Sequence, residues 1–326
     1  MSSTLERRVV TLGGTPVGAG PAVVIGGRVS LRERRGDAAA TLPGRARLVE
    51  PSGAGDLPLI AERADGVVVG AAWTRDIPLV RAAAGLGLPV VVERRPSASL
   101  EEWLTLAGYC AAEADEQVIL CEGGRLDLGL LRAARAASGR PVVADVRADP
   151  GLSAAAVAAG ADGLIVADHC GAGPDGVPSG RSHGGAVGGV DGGVDGVERG
   201  VDGGVECGGV AGGRDGGRRG AEEAVTLVGA LLRPETPGTL GECREAIDRV
   251  DAALATLLER RAALAGIVQT LKPVGGFAGR DAARERALVA RMARRAPELG
   301  EDRLAAVMNA VIEAGLHLAE ERRAGR

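Results

Sequence analysis

Apolar positions along this chain follow two different rhythms, with a stretch between them that has neither. Over residues 1–170, short runs rich in Val and Ile recur at nearly regular intervals. They are DGVVVGAA (65–72), LPVVVERR (88–95), EQVILCEGG (116–124), RPVVADV (140–146) and DGLIVADH (162–169). Each has the length and continuity of a strand buried on both faces. Between them IPLVRAAAGLG, SLEEWLTLAGYCAAEAD, DLGLLRAARAASG and GLSAAAVAAGA carry helix-like patterns, and Ser99 followed by Glu102 forms a capping-box signature. Strand–helix alternation of this kind predicts parallel βα units, closed as a barrel or opened as a doubly wound sheet.

Residues 171–221 break the pattern. GGAVGGVDGGVDGVERGVDGGVECGGVAGGRDGG is a degenerate repeat of Gly, Val, Asp and Glu with no amphipathic period. It predicts a linker or expanded loop; a calcium-binding glycine repeat needs a nine-residue period that does not hold here. A short helix, AEEAVTLVGALL, and the connector RPETPG occupy 222–237 and its edge.

From 238 to 326 the period is helical. A first helix is predicted from about Thr239 to Leu271, stopped by Lys272-Pro273 and the glycines at 275 and 276. At 1.5 Å per residue it would run roughly 50 Å, long enough to call for a dimer or a bundle. Asp281 is placed to cap a second helix ending near Pro297. In the third, Leu304, Val307, Met308, Val311, Ile312, Gly315 and Ala319 share a face.

Two cations interrupt the apolar side of the first helix. The series Ile247, Leu254, Arg261, Val268 puts Arg261 toward the core, and Lys272 lies eleven residues further on. At about 100° per residue that is three turns plus roughly 20°, so the two align. Arg261 alone has an ordinary explanation, snorkelling or pairing with a core carboxylate. Counted with Arg244 near the helix start and Arg284 on the second helix, the inward cations outnumber inward carboxylates. A small, multiply anionic ligand would balance them, because an unpaired buried cation costs on the order of several kcal/mol.

Composition narrows the classes. The formal net charge of −4 gives no global reason to expect nucleic acid or an anionic membrane. Five scattered cysteines without a CxxC pair argue for reduced thiols rather than a disulfide framework or zinc site. No apolar run reaches about 18 residues and MSSTLERRVV has no signal-like core, so a cytoplasmic protein is expected.

The segments CREAIDRVDAALATLLERRAALAGIVQTLK, GRDAARERALVARM and VIEAGLHLAEE resemble the all-helical chorismate mutase family across about 238–322. The resemblance implies a three-helix domain in an interlocked homodimer and a pericyclic conversion of chorismate to prephenate, without cofactor or metal. It implies that Arg244 of the partner chain and Arg261 clamp substrate carboxylates, and that Lys272 meets the ether oxygen and a carboxylate. Glu285 would accept the ring hydroxyl with help from the Asp281 backbone, and Arg284 would form pocket wall. Gly315 and Ala319 complete the implied substrate-binding set, with two departures. The family usually carries Gln at the position of Ala319, and a small hydroxyl residue is common at that of Gly315. The missing Gln removes one neutral donor, worth about 1–3 kcal/mol.

The first region resembles the barrel-type DAHP synthases, through GAGPAVV, DGVVVGA, PVVVERRPSASLEEWLTLAGY, EQVILCEGG, PVVADV and GADGLIVADH, in order across 18–169. That resemblance favours a shortened barrel over an open sheet. It also implies a divalent-metal site whose Cys, His and Glu positions are here Ala22, Ala148 and Ala167, with Asp175 at the fourth. The phosphoenolpyruvate lysine is replaced by Glu93 and the arginine of a CERG motif by Gly124; Glu122 and His169 persist. A Lys-Pro-Arg-Thr-Ser-Pro segment before residue 46, with much of one βα unit, is missing. The expectation is a chorismate mutase carrying an inactive synthase-like domain. The alternative is a non-catalytic regulator or scaffold that binds shikimate-pathway ligands or an authentic DAHP synthase; an active bifunctional enzyme is the third reading.

Overall fold

The computed structural model describes residues 7–33, 44–167, 214–233, 235–272 and 276–324, together with 38, 42 and 274. The chain divides into two compact units, Met1–Arg233 and Pro234–Arg326.

The first unit opens with an antiparallel hairpin, β1 (Val10–Leu12) and β2 (Thr15–Val17). Parallel strands follow: β3 (Val23–Ile25), β4 (Arg28–Ser30), β5 (Ala46–Glu50), β6 (Ala64–Val69), β7 (Val90–Glu93), β8 (Val118–Glu122), β9 (Val142–Asp145) and β10 (Gly163–Ile165). Their order in the sheet is β3-β10-β9-β8-β7-β6-β5-β4. The two ends of that order, β3 and β4, are separated in sequence only by Gly26 and Gly27. They form one extended stretch. Its first half pairs with β10 and its second half with β5, and the Leu48 N–H donates to the Gly27 carbonyl at the changeover. The sheet therefore curls back onto itself with seven strand positions, one βα unit short of an eightfold barrel. Gly27, at φ +74°, takes the left-handed backbone that this changeover needs.

Helices α1 (Leu57–Arg63), α2 (Ile77–Ala84), α3 (Leu100–Glu113), α4 (Leu128–Ser138) and α5 (Ser153–Ala158) alternate with these strands. The five Val/Ile runs became β6 to β10, and the expected capping box is present. The Glu102 N–H donates to Ser99 Oγ at 3.2 Å, and the Ser99 N–H to Glu102 Oε2 at 2.9 Å. Inside the ring, Ile25, Leu48, Val68, Val91, Ile119, Val143 and Ile165 make one core, which Val10, Leu12 and Val17 of the hairpin close from the strands' N-terminal end. A second layer, including Trp103, Leu120, Leu131 and Leu164, lies between strands and helices.

α6 runs from Arg214 to Leu232, so it begins within the stretch expected to be linker and includes the short helix expected over 221–232. It packs on α5 and β3, burying Ala221 and Ala224. Arg233 at its end donates to Asp162 Oδ1 at 2.7 Å and to the Ala161 carbonyl. Sequence pattern alone places its start later because glycines 216, 217 and 220 mimic the preceding repeat. Residues 168–213, with His169 and Asp175, lie outside the described residues.

The second unit is helical: α7 (Leu240–Leu271), α8 (Ala282–Ala293) and α9 (Gly300–Ala324). Thr239 and Glu242 form a reciprocal cap for α7, and Asp281 caps α8 by accepting the Arg284 N–H at 3.0 Å. α9 packs against both neighbours. The core, Val289, Leu304 and Met308 with Leu288, Met292 and Val311 around it, is small. Much of α7 remains apolar and uncovered, including Ile247, Val250, Leu254, Leu257 and Leu264.

Candidate functional site

The helical unit contains a cavity of about 350 Å³ between α7, the 272–281 loop, α8 and α9. α7 contributes Arg261, Leu264, Ala265, Val268, Gln269 and Lys272; α8 contributes Arg284, Glu285 and Leu288; α9 contributes Ile312, Gly315 and Leu316. The loop adds Gly276, Gly279, Arg280 and Asp281. Six of the eight residues singled out from sequence thus line one cavity: Arg261, Lys272, Asp281, Arg284, Glu285 and Gly315. Arg244 does not. It lies seventeen residues before Arg261, about 25 Å along the helix, and is exposed. Ala319 is also outside the lining, one turn past Gly315.

Arg261 and Lys272 are half-buried, whereas Arg244 and Arg284 are exposed, so the four cations expected on the apolar side are not buried to one degree. Lys272 Nζ donates to the Gly279 carbonyl at 2.8 Å, which folds the loop back over the end of α7. A Cβ at Gly279 would stand 2.2 Å from the Val274 carbonyl oxygen, so this turn requires glycine. Phe277 stacks against His317 of α9 with ring centroids 5.1 Å apart, holding the loop from its other side. Gly315 lies against α7, and a Cβ there would meet Ala265 Cβ at an unstrained 3.9 Å.

Arg280 was not anticipated, because it lies in a loop where no period marks it. Its guanidinium forks onto Glu285, Nε to Oε1 at 3.1 Å and Nη2 to Oε2 at 2.7 Å, and reaches Asn309 Oδ1 at 2.7 Å and Glu313 Oε1 at 3.3 Å. These bonds from Arg280 hold the Glu285 carboxyl below the usual carboxylate range. The Arg284 backbone N–H, with the Lys272 and Arg284 charges nearby, holds Asp281 low as well. Four cations, Arg261, Lys272, Arg280 and Arg284, therefore face two ionised carboxylates, Asp281 and Glu285. Arg280 is shared between Glu285 and Glu313, and Arg261, Lys272 and Arg284 form no ion pair among the described residues.

The mouth of the barrel, at the C-terminal ends of its strands, is balanced differently. Arg28, with 4% of its side chain exposed, donates to Asp145 at 2.7 Å and Glu93 at 3.0 Å and reaches Glu50 at 3.4 Å. Burial works against its charge, but Glu93 and Asp145 outweigh that and hold the guanidinium firmly protonated. Glu93 also accepts the Ala71 N–H, Glu50 accepts Trp73 Nε1, and Arg147 adds a second cation to Asp145. Fully buried Glu122 is forked by Arg94 at 2.5 and 2.7 Å. These residues do not fit a divalent cation: 22, 148 and 167 are alanine, and each carboxylate is held by an arginine. Among the described residues no group of three or more His, Cys, Asp and Glu is placed to hold a metal. Burial pushes the Cys110 thiol up to about 12, and Cys121 inside the ring is also raised, so neither is a reactive thiol.

The class is set by these two units: a small helical domain around a cation-lined cavity, preceded by a shortened parallel barrel. Residues 243–320 match the family model of chorismate mutase type II. The first unit is similar to the phospho-2-dehydro-3-deoxyheptonate aldolase of Thermotoga maritima, 32% identical over 139 residues, covering 37% of this chain and 41% of that protein. It is also similar to two solved DAHP synthase structures from Thermotoga maritima. The first, of phospho-2-dehydro-3-deoxyheptonate aldolase, has 26% identity and a TM-score of 0.44 and covers 50% of this chain and 64% of that one. The second, a truncated form of 3-deoxy-D-arabino-heptulosonate 7-phosphate synthase, has 27% identity and a TM-score of 0.46 and covers 50% and 81%. The chain thus spans 41% of the length of the curated relative it matches. No described helix is long and apolar enough to cross a membrane.

Proposed function

We propose that the helical unit is a chorismate mutase and that the barrel has no DAHP synthase activity. The observation that carries the first half is that three cations of the cavity, Arg261, Lys272 and Arg284, form no ion pair among the described residues, which suits a dicarboxylate. Rearranging chorismate breaks an ether C–O bond and forms a C–C bond with no proton transfer. The site therefore has only to hold the compact conformer and meet charge growing on the ether oxygen. Arg261 clamps a carboxylate. Lys272 has three N–H donors, so it keeps Gly279 and still presents two to the ether oxygen and a carboxylate. Glu285 keeps lone pairs free for the ring hydroxyl, and its pairing with Arg280 spares the dianion an unbalanced negative neighbour.

The uncovered apolar side of α7 supports a homodimer in which a second copy lies along it and brings its own Arg244 to this cavity. The barrel reading rests on the arginine-filled mouth, where Glu93 replaces the cation that a phosphorylated substrate needs. A cytoplasmic location goes with this reading. The absence of a donor at Ala319 favours the second reading, a non-catalytic ligand-binding protein that acts with a DAHP synthase partner. Following the loss of chorismate absorbance separates the two. Wild type should turn over, and Arg261→Ala should lose roughly a hundredfold in kcat/KM. Wild type that binds chorismate without converting it, alone or with a synthase, would replace the enzyme by the binder.

A further inference from the structure

We infer that Gln269 is a ligand-binding residue of the helical cavity, its side-chain NH2 donating a hydrogen bond to an oxygen of the bound dicarboxylate. The inference rests on the reading of the cavity given above and adds a residue to it. Gln269 lines the cavity on α7, one turn before Lys272, and only 8% of it is exposed. A buried amide normally satisfies both its ends. Here only one end is used: Oε1 accepts the Gly276 N–H at 2.7 Å. Because a backbone N–H must meet the oxygen, the orientation of the amide is fixed and the NH2 is left over. That NH2 donates to no described protein group, and it belongs to a side chain that lines the cavity. The main chain around it is held as well, since Arg323 Nη2 donates to the Gln269 carbonyl at 2.8 Å. A fixed, neutral and unused donor beside Lys272 is what an ether or carboxylate oxygen would need there. It supplies on α7 the kind of group that α9 lacks at Ala319.

The test separates donating from merely holding the loop. Gln269→Glu keeps an acceptor for Gly276 and, when ionised, has no donor. Its kcat/KM for chorismate at neutral pH should fall roughly ten- to a hundredfold. It should recover toward wild type as the pH is lowered to about 4.5, where the carboxyl regains a proton to donate. The charged groups that line the same cavity, Arg261, Lys272, Arg280, Asp281, Arg284 and Glu285, and Arg323 on the Gln269 carbonyl are the same in both proteins, so the ratio of the two pH profiles isolates residue 269. Gln269→Met removes both functions and should lose both activity and thermal stability. A Glu variant that matches wild type at every pH overturns the inference. If wild type binds but does not convert chorismate, the catalytic reading fails separately. Calorimetry then decides this one: weaker binding by Gln269→Glu sustains it and equal binding overturns it. No binding by wild type overturns both.

Discussion

At the barrel mouth one buried arginine, Arg28, meets three carboxylates, while in the helical cavity four cations meet two. The barrel end is closed on itself: Glu50, Glu93, Asp145 and Glu122 all have arginine partners, and the space where a ligand would enter holds ion pairs. The helical cavity keeps its positive groups partly unspoken for. Both regions are rich in arginine, so composition alone does not tell them apart. What separates them is whether the charges are already matched within the chain, which decides whether an anion is repelled or required.

The largest expected effects strike at the two ends of this comparison. Removing Lys272 as Lys272→Ala should cost at least about a hundredfold in kcat/KM, read by chorismate loss, because it takes away the charge proposed to meet the ether oxygen. In the barrel, Arg28→Met leaves three carboxylates without their shared cation. The first unit should lose about 3–5 kcal/mol in denaturant unfolding, while turnover in the helical unit keeps its KM. Unchanged unfolding would mean that the mouth is not the closed network described.

A smaller effect concerns acid. Arg280 depresses the Glu285 carboxyl, so Glu285 stays ionised to lower pH than an ordinary glutamate and its contribution is lost as pH falls through that lowered value. In Arg280→Met the loss should begin at higher pH, moving the acid limb of kcat upward, with at most about a tenfold change at neutral pH. An acid limb that does not move would remove Glu285 from the site. Gly279→Ala should displace the loop and weaken the hold on Lys272, seen first as a raised KM. Ala319→Gln should change the rate least, about threefold upward, since that position is outside the cavity lining and Gln269 already offers an amide.

The sequence shows different parts of this molecule to different depths. Continuous Val/Ile runs marked β6 to β10 because a strand covered on both faces needs no polar alternation. β1 to β4 are three residues each and broken by glycines, too short for any period, and the shared stretch 23–30 becomes visible only through its two sets of partners. Arg261 and Lys272 stood out because charge interrupts an apolar stripe. Gln269 lies within about 80° of Arg261 on the same helix, and that register was its only sequence signal. Arg280 had none, since its role comes from a fork onto Glu285 across a turn. Arg244 is legible as a cation, but it is outside this cavity and would reach it only in the proposed dimer, from a second copy of the chain.

One preparation of the full chain tests the central contrast most directly. It should be given chorismate in one assay, and phosphoenolpyruvate with erythrose 4-phosphate and manganese in another. The account predicts that chorismate is consumed and converted to prephenate while no DAHP forms. Formation of DAHP together with untouched chorismate would contradict it at both ends.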